Sequence, residues 1–183
     1  MIVSHRATSS TNVKSFCAAI ERVAAHMPVE AYLDWPVAMQ LSHLAIPNVT
    51  IHFQVLQHTH IDPSKIVVYA TNDVLFAPDA LLIACEMLEG ADYVCGYDAP
   101  SNSLVSVQYA ASRWWKIPGT MTAHFVARGA TILQDALVVK EYDDTAWKLL
   151  RLVHGRRCAS PMPSLWQLEG APPAPGIPWQ SFR

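Results

Sequence analysis

Over positions 1–100, short apolar runs alternate with stretches whose apolar residues recur at helical spacing. Ile2-Val3 reads as a buried first strand and leads into the polar, cap-rich segment Ser4–Asn12. Val13, Phe16, Cys17, Ile20, Val23 and Met27 then share one helix face up to Pro28, which predicts a helix over 12–27. Val29–Asp34 is strand-like and ends in an acid, a short helical piece follows Pro36, and Val49–Val55 is again strand-like. Lys65–Ala70 has the unbroken apolar character of a strand covered on both faces. Pro78 and Asp79 open a helix predicted over 78–89, and Asp92–Asp98 is one more strand. Strands near 2–4, 29–33, 49–55, 65–70 and 92–97, separated by helices, predict an α/β domain with an open, mainly parallel sheet.

Past Pro100 the pattern loosens. Leu104, Val105 and Val107 suggest an edge strand, and His124–Ala127 is strand-like. Two helices are expected next, the second capped by Asp143 or Asp144 and carrying Trp147, Leu149, Leu150, Leu152 and Val153. Residues 161–183 hold six of the 13 prolines, a density that predicts no regular structure. Trp166, Trp179 and Phe182 make this tail too apolar to hang free, so it is expected to wrap the body. No repeat divides the chain, and 1–183 reads as a single domain: 1–100, 101–160 and the tail 161–183.

Composition narrows the class. With 51% hydrophobic and 15% charged residues the chain is globular, and its net charge of -2 advertises no nucleic-acid surface. Cys17, Cys85, Cys95 and Cys158 form no Cys-x-x-Cys pair, which argues for buried, reduced thiols. There is no run of 18 apolar residues and no apolar signal core at the start, so the expectation is a cytoplasmic protein without a membrane span.

In a parallel α/β sheet, ligands bind beyond the carboxyl ends of the strands. Asp34, Asp73 and Asp98 fall there. Asp73 follows an apolar strand and precedes a helix, where a carboxylate can hold a divalent cation against a diphosphate, or can simply make an Asx turn or cap. Trp114 and Trp115, near a Pro-Gly turn, suit either a core or a stacking surface for a sugar or base. His58-Thr-His60-Ile-Asp62 has metal-ligand spacing. It resembles the start of metallo-β-lactamase-like hydrolases, but Pro63 stands where their last histidine would be.

Val67-Val-Tyr-Ala-Thr-Asn-Asp-Val-Leu-Phe-Ala-Pro-Asp-Ala-Leu81 resembles the family-2-type nucleotide-sugar glycosyltransferases of the Rossmann-like A-type fold. In that family a strand runs into an Asp-x-Asp or Glu-Asp-Asp motif, an apolar pair and Pro-x-Ala-Leu. Val3-Ser-His-Arg6 with Asn12–Phe16 resembles the first strand and nucleotide-side loop, and Tyr32-Leu-Asp34 falls where the family has an acid contacting the base. Asp92–Pro100 and Thr120–Arg128 resemble acceptor-side strands of a small subgroup. Asp143-Asp144 resembles the Glu-Asp motif that supplies the catalytic base. Ser160–Leu165 and Pro175–Trp179 resemble that subgroup's tail. There are three departures. The acid pair is reduced to Asn72-Asp73, the tail histidine is absent with Glu169 nearby, and the stretch between Val55 and Lys65 is short.

The resemblance implies a small glycosyltransferase moving a hexose or pentose from a nucleotide-diphosphate sugar to an acceptor hydroxyl on a glycan, protein, small molecule or modified DNA base. Ser4, His5, Arg6, Asp34, Asn72 and Asp73 would bind the donor. Asp73 and Glu169 would hold Mn²⁺ or Mg²⁺, and Asp143 or Asp144 would be the base. Because the acids are reduced, the competing expectation is an inactive A-type fold serving as a nucleotide, sugar or protein-binding module.

Overall fold

A computed structural model describes residues 1–5, 10–70, 74–97, 107–110, 113–116, 121–122, 124–162 and 164–168. Its first half follows the hydrophobic pattern closely. Strand β1 (Ile2–His5), helix α1 (Ser10–Ala24), β2 (Val29–Leu33), α2 (Trp35–Leu44), β3 (Val49–His52) and β4 (Ile66–Tyr69) form in succession. α1 buries Val13, Phe16, Cys17, Ile20 and Val23, the stripe that predicted it. β3 is shorter than expected. Phe53, Gln54 and Val55 are exposed and leave the ladder, and residues 53–65 carry only a 3-10 turn at His58–His60.

Then come β5 (Val74–Phe76), α3 (Ala80–Met87), β6 (Tyr93–Val94), β7 (Val107–Ala110), β8 (Arg113–Lys116) and β9 (Phe125–Arg128). Helices α4 (Gly129–Asp135) and α5 (Asp144–Leu152) precede β10 (Cys158–Met162) and β11 (Trp166–Leu168). The large sheet runs β3-β2-β1-β4-β9-β6-β10-β8-β7. β3, β2, β1 and β4 are mutually parallel, β9 is antiparallel to both β4 and β6, and β10 runs parallel to β6. This is the Rossmann-like, mainly parallel α/β sheet that the alternation of elements predicts. The antiparallel β7-β8 hairpin extends it through β10.

Register sorts the side chains onto two faces. His52, Tyr32, Ser4, Tyr69 and Phe125 are successive cross-strand partners and form one lateral row. His5 and Leu33, one residue on, face the other way. On that second side the His5 ring packs 4.2 Å from Phe16 of α1 and 5.9 Å from Phe76. On the first side α5 brings Trp147 edge-on to Tyr93 and Phe125, at 5.2 and 5.4 Å. Tyr142 closes the cluster 4.5 Å from Phe125.

Beneath that cluster lies a buried ion pair. Asp135 is 2% exposed and receives Arg156 Nε at 3.1 and 3.0 Å, Arg156 Nη2 at 2.7 Å, and the Tyr93 hydroxyl at 2.7 Å. Desolvation pushes the Tyr93 and Tyr142 hydroxyls above the ordinary tyrosine range and raises Tyr69 to about 12. All four cysteines are free, and burial raises Cys17 and Cys85 to about 11 and Cys158 to about 12.

The tail contradicts one expectation, because regular structure begins inside it. β10 runs through Pro161 to Met162, and β11 pairs antiparallel with β5. Proline is tolerated because β10 pairs with β6 only at Cys158 and Ala159; by Pro161 it has left that neighbour, so the missing N–H costs no bond on that side. Trp166 is buried against Phe76 at 5.7 Å and lies over Gly96, where a Cβ would come within 2.2 Å of its ring. Residues 169–183, with Trp179 and Phe182, lie outside the described residues, as do the side chains of Trp114 and Trp115.

Candidate functional site

The strand order contains a topological switch point. From β1 the chain moves to β2 and β3 on one side, while β4 adds on the other, so the direction of winding reverses between β1 and β4. At such a point the loops leaving the carboxyl ends separate and leave room for a ligand. The segments that exit here are those after His5, after Leu33 and after Tyr69, with Ala70 N–H donating to the Ser4 carbonyl at 2.9 Å. Asp34 and Ala70 therefore follow strands on either side of β1, about 10 Å apart at the usual strand spacing.

Asp34 occupies the N-cap position of α2 without capping it, since its side chain takes no bond from the first turn. One carboxylate oxygen is shielded from solvent and has no hydrogen-bond partner. A shielded acceptor without a donor is costly and marks a place where a ligand's N–H or O–H would be welcome. Ser4 is half-buried and is the one short side chain in its row, between the rings of Tyr32 and Tyr69. His5 contributes its main chain at the end of β1, while its ring is placed in the core beside Phe16 and Phe76. Arg6, Asn72, Asp73, Asp98 and Glu169 lie outside the described residues.

The ladder of β5 with β11 bears on two of these. Its register is Phe76 with Trp166, Leu75 with Gln167 and Val74 with Leu168. It ends on Val74 and Leu168, whose next residues along the chain are Asp73 and Glu169. Asp73 and Glu169 are oxygen donors of the kind Mg²⁺ or Mn²⁺ takes, but both lie outside the described residues. Among the described residues no group of three His, Cys, Asp or Glu side chains could hold a metal. The His58-Thr-His60-Ile-Asp62 spacing is used otherwise. His60 Nδ1 accepts from Gln57 N–H at 3.1 Å, and Asp62 accepts from Ser64 N–H and Oγ at 2.9 and 2.7 Å.

The acid pair on α5 divides its labour. Asp143 is the cap, its Oδ1 accepting Ala146 N–H at 2.7 Å. Asp144 sits exposed in the first turn. Tyr142, just before them, lies 6.5 Å from Tyr69, the last residue of β4, so this helix opens on the carboxyl-end side of the sheet.

Sequence reasoning passed over two residues. Trp35, next to Asp34, is 66% exposed, and Phe53, just past β3, is 54% exposed, with their rings 5.4 Å apart. Chain adjacency to Asp34 was the available signal, but exposure of an aromatic residue is not legible in a sequence.

No protein-family model matches the chain, and no curated protein matches it. Among solved structures, the apo-form glycosyltransferase GlyE of Streptococcus pneumoniae TIGR4 aligns at 9% identity and TM-score 0.43 over 85% of this chain, which spans 44% of that protein's length. A CMP:2-keto-3-deoxy-manno-octonic acid synthetase complexed with CTP aligns at 10% identity and TM-score 0.48, covering 99% of this chain and 94% of the other. Likenesses this distant carry no argument about family or activity. No helix among the described residues is long and apolar enough to cross a membrane.

Proposed function

We propose that this chain is a glycosyltransferase that moves a sugar from a nucleotide-diphosphate donor to an acceptor hydroxyl. Two features support the reading. They are the unsatisfied Asp34 carboxylate after β2, and the β5-β11 ladder that ends just before Asp73 and Glu169. The first suits the N–H edge of a nucleobase and the second a diphosphate with its cation.

A carboxylate only accepts hydrogen bonds, so Asp34 favours a base presenting a ring N–H, such as uracil or guanine, over one presenting a ring lone pair. Ser4, His5, Arg6 and Asn72 would complete the donor-binding set with Asp34 and Asp73. Asp73 and Glu169 would hold Mg²⁺ or Mn²⁺, which when bound offsets the charge gained by the departing diphosphate. Asp144 takes the proton from the acceptor hydroxyl. That oxygen forms the new bond to the anomeric carbon as the carbon–phosphate-oxygen bond breaks, and the nucleoside diphosphate leaves. Asp143 holds the helix end in place.

The test is a panel of nucleotide sugars, measured by thermal shift and by donor hydrolysis, with and without Mn²⁺ or Mg²⁺. A nucleoside diphosphate sugar should raise Tm more with the cation, and the cation's contribution should vanish in Asp73→Asn and Glu169→Gln. Asp144→Asn should bind donor and lose turnover, whereas Asp143→Asn should keep most of it. Binding with no turnover under any acceptor or cation would instead identify a non-catalytic nucleotide-binding module.

A further inference from the structure

The Trp35–Phe53 pair is the feature of this edge that the donor reading leaves unused. Exposed tryptophan on a surface has a free energy cost that burial would remove, and here two large rings hold each other at 5.4 Å and 42° while both stay more than half exposed. They come from different elements. Trp35 is the first residue of α2, and Phe53 is the first residue beyond β3. Because β2 and β3 are parallel neighbours, with Tyr32 opposite His52, both rings sit at the same carboxyl edge. Asp34, with its shielded and unpartnered oxygen, immediately precedes Trp35.

We infer that Trp35 and Phe53 form a stacking platform for the nucleobase of the donor, beside the Asp34 carboxylate that accepts from the base's edge. This deepens the proposed function and rests on it. A flat π-face needs a ring on which to stack, and a base with a ring N–H needs an acceptor at its rim; the two occur here on consecutive residues. The placement also suits the length of a nucleotide. The platform lies at the β2-β3 end of the sheet, about 10 Å or more across the strands from the exit of β4. The neighbouring stack of Tyr32 on His52 and His60, at 4.4 and 5.2 Å, is inside the fold, Tyr32 being buried, and takes no part.

Isothermal titration of the full chain with uridine diphosphate, guanosine diphosphate and inorganic pyrophosphate, each with Mg²⁺, tests this. At least one nucleoside diphosphate should bind wild type. Its affinity should fall about tenfold to a hundredfold in Trp35→Ala and less in Phe53→Ala, and Trp35→Phe should recover most of it. Pyrophosphate, which has no base, should bind all variants alike. Both rings are exposed, so Tm should hold in each variant and show that the fold is intact. If a nucleoside diphosphate binds wild type, Trp35→Ala and Phe53→Ala equally, the platform is overturned and the donor reading stands. An equal loss of pyrophosphate affinity would also overturn it. If no nucleoside diphosphate binds wild type, the donor reading itself falls and takes the platform with it.

Discussion

The half of the sheet built from β3, β2, β1 and β4 and the half built from β9, β6 and β10 meet at the β4-β9 pair and differ in where their most conspicuous polar groups find partners. The first half is all parallel, and at its carboxyl edge it leaves Asp34 unsatisfied and Trp35 and Phe53 exposed. The second half inserts an antiparallel strand and ties Asp135 to Arg156 and Tyr93 under the cluster of Phe125, Tyr142 and Trp147, although Trp147 Nε1 there has no hydrogen-bond partner among the described residues. A lone acceptor at a sheet edge stays unpaired at a cost that a bound donor would remove. Groups that hold two remote segments together must be paired at once, because desolvating them singly is expensive.

This contrast can be broken most severely in the second half. Asp135→Ala leaves the Arg156 guanidinium and the Tyr93 hydroxyl without their partner, and urea unfolding should show a loss of about 3–5 kcal/mol. Gly96→Ala drives a methyl into the Trp166 ring and should cost about 1–3 kcal/mol by the same measurement. In the first half, Trp35→Ala and Phe53→Ala should lie within about 0.5 kcal/mol of wild type, which is the sharpest test that these rings serve binding rather than folding.

The alkaline limb of stability should also belong mainly to the buried groups. Tyr69 is raised from 10.0 to about 12, Cys158 from 9.0 to about 12, and Cys17 and Cys85 to about 11. Each favours its neutral form when folded, so its contribution is intact below its unfolded value and is lost as pH rises through the folded one. Tm should therefore hold to about pH 9 and fall steadily toward pH 12, and Tyr69→Phe should soften the upper part of that fall. The smallest effect expected is at the helix cap. Asp143→Ala should cost about 1 kcal/mol, while Asp144→Ala changes stability by less.

Much of this protein was legible in its chain. Apolar periodicity alone determined α1, β1, β2, β4 and α3, because each buries a stripe or face whose spacing matches its own backbone repeat, and their alternation determined the parallel α/β class. The acids at the ends of β2 and before α5 were likewise visible as candidates. What the sequence could not decide is which of two adjacent acids caps. That depends on backbone angles: Asp143 is extended at φ -93° and reaches Ala146, which leaves Asp144 on the exposed first turn. Nor could periodicity place β9 between β4 and β6, pair β11 with β5 in a proline-rich tail, or show that Trp35 and Phe53 stay exposed while Trp166 is buried. Those outcomes depend on contacts between residues far apart in the chain. Such contacts form only when the whole sheet assembles, and no local pattern records them.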